Sequence, residues 1–220
     1  WKAQNRMSID VEFVSMFYWL DHHLFQLRNQ FVSKPNGYYL LPTNDSLDSR
    51  RKKHFICLNG VAKHHRIYFV SEIFRRHLDD KGYVSLLFRY ANEDAFDHMN
   101  YTHRRFYKAS EQYAYCQSFI GKVHPKNPLV LDYSLEQVNN NDRKHDPFFF
   151  ENSYLSVITE SIVEDDVFFV TEKSLKPMQF LQPFLIFGSA GTLALLNKKG
   201  FETFPEIFDE SYDSIIDLSL

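Results

Sequence analysis

The chain has 220 residues, of which 44% are hydrophobic and 24% are charged, and its formal net charge is -3. This slightly acidic balance gives no broad electrostatic basis for binding a polyanion such as nucleic acid. No apolar run of about 18 residues occurs and no secretory signal opens the chain, so the sequence predicts no membrane span. Composition is otherwise that of an ordinary globular protein, apart from a surplus of aromatic residues, with 22 Phe and 13 Tyr.

Cysteine and histidine usage predicts neither a disulfide framework nor a metal site. The two cysteines, Cys57 and Cys116, have no metal-type spacing, and a reducing, cytoplasmic compartment (bacterial or of a viral host) is expected. Adjacent histidines at 22–23 and 64–65 point in different directions on a helix and have no H-x-x-x-H partner. The P-loop, G-x-G-x-x-G and G-x-S-x-G motifs do not occur in the sequence. Their absence argues against a P-loop enzyme, a standard dinucleotide-binding fold and an α/β-hydrolase, respectively.

The N-terminal part is predicted to be an aromatic-rich appendage over residues 1–48. Residues 11–32 are densely apolar and fit either a helix or a pair of strands. Residues 34–53 are rich in turn formers and charge, which indicates a connection and a domain boundary. Because the chain begins at Trp1 rather than Met, we expect that residues upstream of it were removed.

A strand, a helix and a second strand are predicted next. "HFICLNG" (54–60) is a short apolar run closed by an Asn-Gly turn, and "YVSLLF" (83–88) has the pattern of the following strand. The segment between them places apolar residues three or four apart before Gly82, which is typical of one helical face. That predicted face consists of Ile67, Val70, Phe74 and Leu78. The three elements predict a right-handed βαβ unit.

Alternation of strands and helices continues to the end of the chain. A helix is predicted near 109–120, a strand at 128–134 and a loop at 137–146. Later strands are predicted at 153–161, 167–170, 183–188 and 201–204, and helices at 171–181 and 190–200. The pattern predicts an α/β fold, with a Rossmann-like parallel sheet and helices on both faces.

The junction at Thr171 is the first candidate for a binding site, because ligands of parallel sheets bind beyond the carboxyl ends of the strands. Thr171 is a predicted N-cap, and Glu172 suits the positive end of the helix dipole. Lys173 opposes the dipole, which favours an anionic ligand such as phosphate held by backbone N–H groups and Lys173 together. The alternative is that Lys173 points into solvent.

Two arginines and one glutamate are expected at the same edge of the sheet. Arg66 lies in the first turn of the predicted helix after Asn59-Gly60, and Arg89 lies just beyond the strand that ends at Phe88. Together with Lys173 they would suit a diphosphate, although a single arginine is more often a surface salt-bridge partner. Glu160, at the end of a predicted strand, can accept hydrogen bonds from sugar hydroxyls or cap the next loop.

Two stretches resemble the α-1,3-fucosyltransferase family. "YLSVITESIVEDDVFFVTEKSLKPMQFLQPFLIFG" (154–188) is similar to its donor-binding motif, and "KHFICLNGVAKHHRIYFVSEI" (53–73) is similar to its earlier Lys-strand-Asn-loop-Arg segment. The matching positions are Lys53, Asn59, Arg66, Glu160, Phe169, Val170, Thr171, Glu172, Lys173, Pro183 and Gly188. The tail at 200–213 also looks like uncharacterised phage and bacterial proteins grouped with glycosyltransferases.

The resemblance implies a GT-B type, metal-independent, inverting glycosyltransferase without a cofactor. It would transfer a sugar, fucose being one candidate, from a GDP- or UDP-linked donor to a glycan or other acceptor. Lys173 and Arg66 would then neutralise the leaving diphosphate, and Glu172 would bind the ribose. The expected donor-binding set is Asn59, Arg66, Arg89, Glu160, Thr171, Glu172, Lys173 and Lys176.

Differences from the family leave the donor sugar and the general base open. The family has Glu-Asn-Ser where this chain has Glu160-Ser161, followed by a loop two residues longer. Residues 53–220 are expected to form the donor-binding domain, and residues 1–48 a remnant of the acceptor domain that carries the base in the family. Two other functions stay open: a non-catalytic binding module that uses the aromatic surplus as a partner surface, and a nucleic-acid-modifying protein that uses the basic clusters at 49–54 and 103–105.

Overall fold

The computed structural model describes residues 50–88, 111–123, 128–131, 147–163 and 168–215. Its strands are β1 (Lys53–Asn59), β2 (Gly82–Leu86), β3 (Ser153–Thr159) and β4 (Phe184–Phe187). Its helices are α1 (His64–Arg75), α2 (Glu111–Ile120), α3 (Pro147–Glu151), α4 (Glu172–Gln179) and α5 (Thr192–Lys198), with short 3-10 helices at Asp79–Lys81 and Glu210–Ser214. The predicted appendage at 1–48, the loop at 137–146 and the basic cluster at 103–105 lie outside the described residues.

The four strands form one parallel sheet in the order β2-β1-β3-β4. At the centre, Phe55 of β1 is aligned with Gly82 on one side and with Leu155 on the other. β3 in turn pairs with β4, with Ser156 aligned to Phe184. The predicted α/β class with a parallel sheet and the β1-α1-β2 unit are therefore confirmed.

Both faces of the sheet are covered. Successive side chains of a strand point to opposite faces, so the apolar strands present hydrophobic side chains on both sides, and other elements pack against each. On one face, α1 and α2 pack over Phe55 and Cys57 of β1 and Val84 and Leu86 of β2. On the other face, two clusters form against alternate strand positions. They contain Ile56, Phe149, Phe150 and Phe180 in one cluster and Ile158, Phe184, Ile186, Leu193 and Leu196 in the other. Each large aliphatic or aromatic side chain buried in this way contributes about 1.5–3 kcal/mol.

Helix α1 ends earlier than the apolar periodicity predicts. Ile67 and Val70 are buried as expected, whereas Leu78 lies beyond the helix and is 41% exposed. The chain leaves the helix because His77 adopts a left-handed conformation with φ 55°, and Leu78 N then donates to Ile73 O. This is a Schellman-type ending in which histidine takes the place that glycine usually has.

Two predicted strands, at 167–170 and 201–204, are wrong in their described parts. Residues 168–170 have no regular secondary structure and pair with none of the described strands, and both edges of β3, which precedes them, are paired with β1 and with β4. Residues 201–204 also have no regular secondary structure. Instead of pairing with β4, Phe204 N donates to the side chain of Glu210, and Ile186 N of β4 donates to the hydroxyl of Tyr212. The predicted strand at 128–134 is reduced, in its described part, to a single antiparallel bridge between Leu129 and Leu86.

Asp213 caps α5 from a distance in sequence. Its carboxylate accepts hydrogen bonds from Leu193 N at 2.9 Å and Ala194 N at 3.1 Å, while the N-cap residue Gly191 offers no side chain. We expect Asp213→Asn to lower the free energy of unfolding by about 1 kcal/mol, because a charged cap at a helix N-terminus is replaced by a neutral one. Urea denaturation measures this loss, with the exposed Asp79→Asn as control; equal stability of both variants would refute the capping role.

Candidate functional site

The loops that follow β1 and β3 meet at a topological switch point. After β1 the chain runs through α1, on one face, towards β2, whereas after β3 it runs through α4 towards β4. Met178 and Phe180, at the end of α4, pack into the clusters of the opposite face. Open parallel sheets bind ligands in the crevice between such strands. We call the region formed by residues 60–66, 160–163 and 171–173 the β1–β3 crevice.

Glu160 anchors α4 to the end of β3. Its side chain is buried, and Oε1 accepts from Thr171 N at 2.9 Å and from Ser174 Oγ at 2.6 Å. Oε2 accepts from Thr171 Oγ1 at 2.7 Å and from Ser161 N at 3.2 Å. Because a carboxylate offers about four acceptor positions, all of them are used within the chain. Of the two roles that the sequence suggests for Glu160, the geometry favours capping over sugar binding.

Thr171 is the N-cap of α4, as predicted. Its hydroxyl oxygen accepts from Lys173 N at 3.4 Å, and the residue has extended backbone geometry. Thr171 follows a loop rather than a strand, and the hydrogen bonds that it donates to Glu160 bring it to the carboxyl edge of the sheet. The predicted location is therefore correct, although residues 168–170 before it form no strand.

Arg66 is a buried clamp between the two loops. Its side chain donates from Nη1 to Val61 O at 2.9 Å and from Nη2 to Thr159 O at 3.2 Å and Ser161 Oγ at 3.3 Å. Burial lowers the pKa of Arg66, and the negative charge of Glu160 opposes that change. Moving this guanidinium onto a ligand would take a charged donor away from both carbonyl groups, at a cost of about 1–3 kcal/mol where the acceptor is buried, as at Thr159.

Asn59 lies inside the sheet rather than in the crevice. It is fully buried, and its Nδ2 donates to Ser85 O of β2 at 3.1 Å. Its Oδ1 accepts a hydrogen bond from the hydroxyl of Thr159 on β3. Asn59 thus connects three neighbouring strands at their carboxyl ends and holds the floor of the crevice together.

Lys173 and Glu172 form a partly exposed ion pair on the α4 side of the crevice. Lys173 Nζ lies 3.1 Å from Glu172 Oε1, and the two side chains are 25% and 34% exposed. The ammonium also contacts Thr171 Oγ1 at 3.2 Å and Ser161 Oγ at 3.4 Å. Burial acts to raise the pKa of Glu172, but the charges of Lys173 and Lys176 and the hydrogen bonds to the carboxylate together outweigh it, so the pKa is lowered and the carboxylate is ionised.

Lys63 is a cation of this site that the sequence analysis missed. It is the N-cap residue of α1, and its Nζ donates to Ser161 O at 2.7 Å. Ser161 is therefore contacted by three cations, Lys63 and Arg66 from the α1 side and Lys173 from the α4 side. The sequence did contain a signal for this cation, because Lys63 stands three residues before Arg66 and directly after the short loop that follows the first predicted strand.

His65 completes the contact between the two loops as a neutral group. It is buried, its Nε2 lies 2.9 Å from Glu160 O, and its Nδ1 has no hydrogen-bond partner among the described residues. Burial lowers the pKa of His65 to about 3. The neutral imidazole therefore carries its proton on Nε2 and donates to the carbonyl of Glu160.

The structure brings Arg66, Glu160, Thr171, Glu172 and Lys173 to one crevice, with Lys176 in the following turn of α4. Arg89 lies outside the described residues. Within the described ranges, no group of three or more His, Cys, Asp or Glu residues is arranged to hold a metal ion. In the same ranges, no helix combines the length and the apolar character needed to cross a membrane.

The fold and the site define an α/β protein with a cationic crevice at the switch point of a parallel sheet. Comparison with models of protein families, with curated proteins and with solved structures finds no match for this chain.

Proposed function

We propose that this chain is the donor-binding part of a glycosyltransferase that uses a nucleoside-diphosphate sugar. The observation that carries the proposal is the convergence of Lys63, Arg66 and Lys173 on Ser161 at the switch point. A diphosphate is the ligand whose charge such a cluster complements. The N-termini of α1 and α4 open at the same place and favour negative charge.

The proposed chemical step follows from a diphosphate bound at the switch point and from the resemblance to the fucosyltransferase motif. An acceptor hydroxyl oxygen forms a bond to the anomeric carbon from the face opposite the phosphate, which inverts the configuration. The bond between that carbon and the phosphate oxygen breaks, and its electron pair stays on the departing nucleoside diphosphate. The hydroxyl proton passes to a general base, which in the family belongs to the acceptor domain.

Positive charge in the crevice would lower the barrier to this step, because negative charge grows on the diphosphate as the bond breaks. Lys173 is half-buried, so its charge is less screened than that of a fully exposed lysine. Glu172, held ionised beside Lys173, is the proposed acceptor for ribose hydroxyls. The GT-B fold, fucose as the donor sugar and a glycan acceptor belong to the same proposal.

Nucleotide binding tests the proposal. At a concentration about a hundred times Kd, GDP or UDP should stabilise the chain by about 2.7 kcal/mol, which corresponds to a rise in melting temperature of about 5–10 °C. Lys173→Met should abolish the rise, because the partly exposed cation on the α4 side of the crevice is lost. Lys81→Met, at the amino end of β2, should keep the full rise. Absence of any rise in the unaltered chain with both nucleotides would contradict the proposal.

A second candidate is a non-catalytic interaction module, and two exposed rings at the opposite edge of the sheet favour it. Phe148 is 42% exposed and Tyr154 is 47% exposed, with Lys52 and Arg51 over their respective rings at 5.1 Å and 5.8 Å. Exposed aromatic and cationic side chains are common in protein interfaces. A stable complex with a protein partner, lost on Tyr154→Ser, together with no response to nucleotides would decide for this function.

A further inference from the structure

We infer that Lys63 is the cation of the α1 side that contacts the diphosphate, and that Arg66 holds the loops behind it without touching the ligand. The inference rests on the proposed function, since it assigns the contacts within the same crevice. It departs from the expectation, drawn from the resemblance, that Arg66 itself binds the diphosphate.

Lys63 and Lys173 approach one residue from opposite sides of the crevice. Lys63 Nζ donates to the carbonyl of Ser161 at 2.7 Å, and Lys173 Nζ lies 3.4 Å from its hydroxyl. Both lysines are half-buried, so their ammonium groups are partly open to the crevice. A phosphate oxygen is a stronger partner for an ammonium than a carbonyl or a hydroxyl, because the bond is then between two charged groups. An incoming diphosphate can therefore draw both lysines away from Ser161.

Arg66 differs from these lysines in burial and in bonding. It is only 2% exposed, and both of its terminal nitrogens donate to groups of the chain. Two of the acceptors are backbone carbonyls, that of Val61 in the loop after β1 and that of Thr159 at the end of β3. If Arg66 turned to a ligand, these carbonyls would lose their charged donor. The same bonds that make Arg66 a good clamp therefore make it a poor ligand contact.

The position of Lys63 on α1 supports the assignment. Lys63 is the N-cap, its side chain gives no capping hydrogen bond, and the first turn of α1 contains no acidic residue. A cation at this end opposes the helix dipole, whereas an anion placed between Lys63 and the first N–H groups would interact favourably with both. Arg66 lies in the same turn, so the crevice side of α1 combines a buried charge with a partly exposed one.

Calorimetric titration of the 220-residue chain with GDP and UDP tests the inference. Lys63→Met should raise Kd about ten- to a hundredfold, the loss expected when one hydrogen bond between charged partners is removed. Lys63→Arg should restore most of the affinity, because the positive charge is kept. Lys81→Met provides the matched control, as it removes an exposed lysine away from the crevice and should leave Kd unchanged.

Urea denaturation of the same variants separates binding from folding. Lys63→Met should keep the unfolding midpoint of the unaltered chain. A marked fall of that midpoint would mean that Lys63 has a structural role, and it would overturn the inference. Tight binding by the unaltered chain with the same Kd for Lys63→Met would also overturn it while leaving the proposed function intact. No binding of either nucleotide by the unaltered chain would overturn the proposed function and, with it, the assignment of Lys63.

Discussion

Glu160→Gln is expected to lower the free energy of unfolding by about 3 kcal/mol, although the two side chains have nearly the same shape. Each oxygen of Glu160 accepts one hydrogen bond from a backbone N–H, Oε1 from Thr171 and Oε2 from Ser161. Whichever way the glutamine amide turns, its NH2 group meets one of these N–H groups, which cannot become an acceptor. The variant therefore loses the charge and at least one buried hydrogen bond.

Urea denaturation of Glu160→Gln measures this loss. The matched control is Glu206→Gln, which makes the same chemical change at an exposed position and should alter stability by less than about 0.5 kcal/mol. Because Glu160 holds the N-terminus of α4, the variant should also reduce the nucleotide-induced rise in melting temperature. Wild-type stability in Glu160→Gln would show that the four hydrogen bonds do not anchor α4.

Acid is expected to destabilise the fold through His65. The folded-state pKa of His65 is lowered by burial to about 3, from its ordinary value of 6.5, so in this interval the unfolded chain binds the proton and the folded chain does not. Stability from the neutral imidazole is fully present above pH 6.5 and is lost as the pH falls towards 3. The loss amounts to about 1.4 kcal/mol for each pH unit between these two pKa values.

His65→Gln isolates this effect from the titration of carboxylates, because glutamine keeps a donor for the carbonyl of Glu160 but does not titrate. Between about pH 7 and about pH 4.5, the stability of the unaltered chain should fall by about 2–3 kcal/mol more than that of the variant. His77→Asn is the control, since His77 is exposed and asparagine tolerates its left-handed backbone. Parallel pH curves for His65→Gln and the unaltered chain would refute the assignment.

Local patterns predicted the elements whose apolar residues are close in sequence. The periodicity at Ile67 and Val70 placed α1, and the apolar runs around Cys57 and Ile158 placed β1 and β3. The same reasoning was wrong at 168–170, where an apolar run passes β3 without pairing. A strand needs a free edge as well as an apolar sequence, and which edges are free depends on the whole sheet.

In the candidate site, too, the sequence predicted the features that depend on neighbouring residues and missed those that depend on distant ones. The residue type of Thr171 and its position before Glu172 predicted that it is an N-cap. The hydrogen bond that its side chain accepts from Lys173 N confirms this prediction. Lys63 was missed because its contact, Ser161, is 98 residues away in sequence. Arg66 was recognised as important, but whether its guanidinium faces a ligand or backbone carbonyls is decided by burial.

By itself the sequence determined the alternation of apolar strands and amphipathic helices, and hence an α/β protein with a covered parallel sheet. It also determined that cations and carboxylates stand where strands end and helices begin, since capping and dipole preferences act within a single turn. Only the tertiary structure decided that β1 and β3 are neighbours, and thus that Lys63, Arg66 and Lys173 meet at Ser161. Strand order arises from packing over the whole core, to which each local segment contributes only part of the free energy.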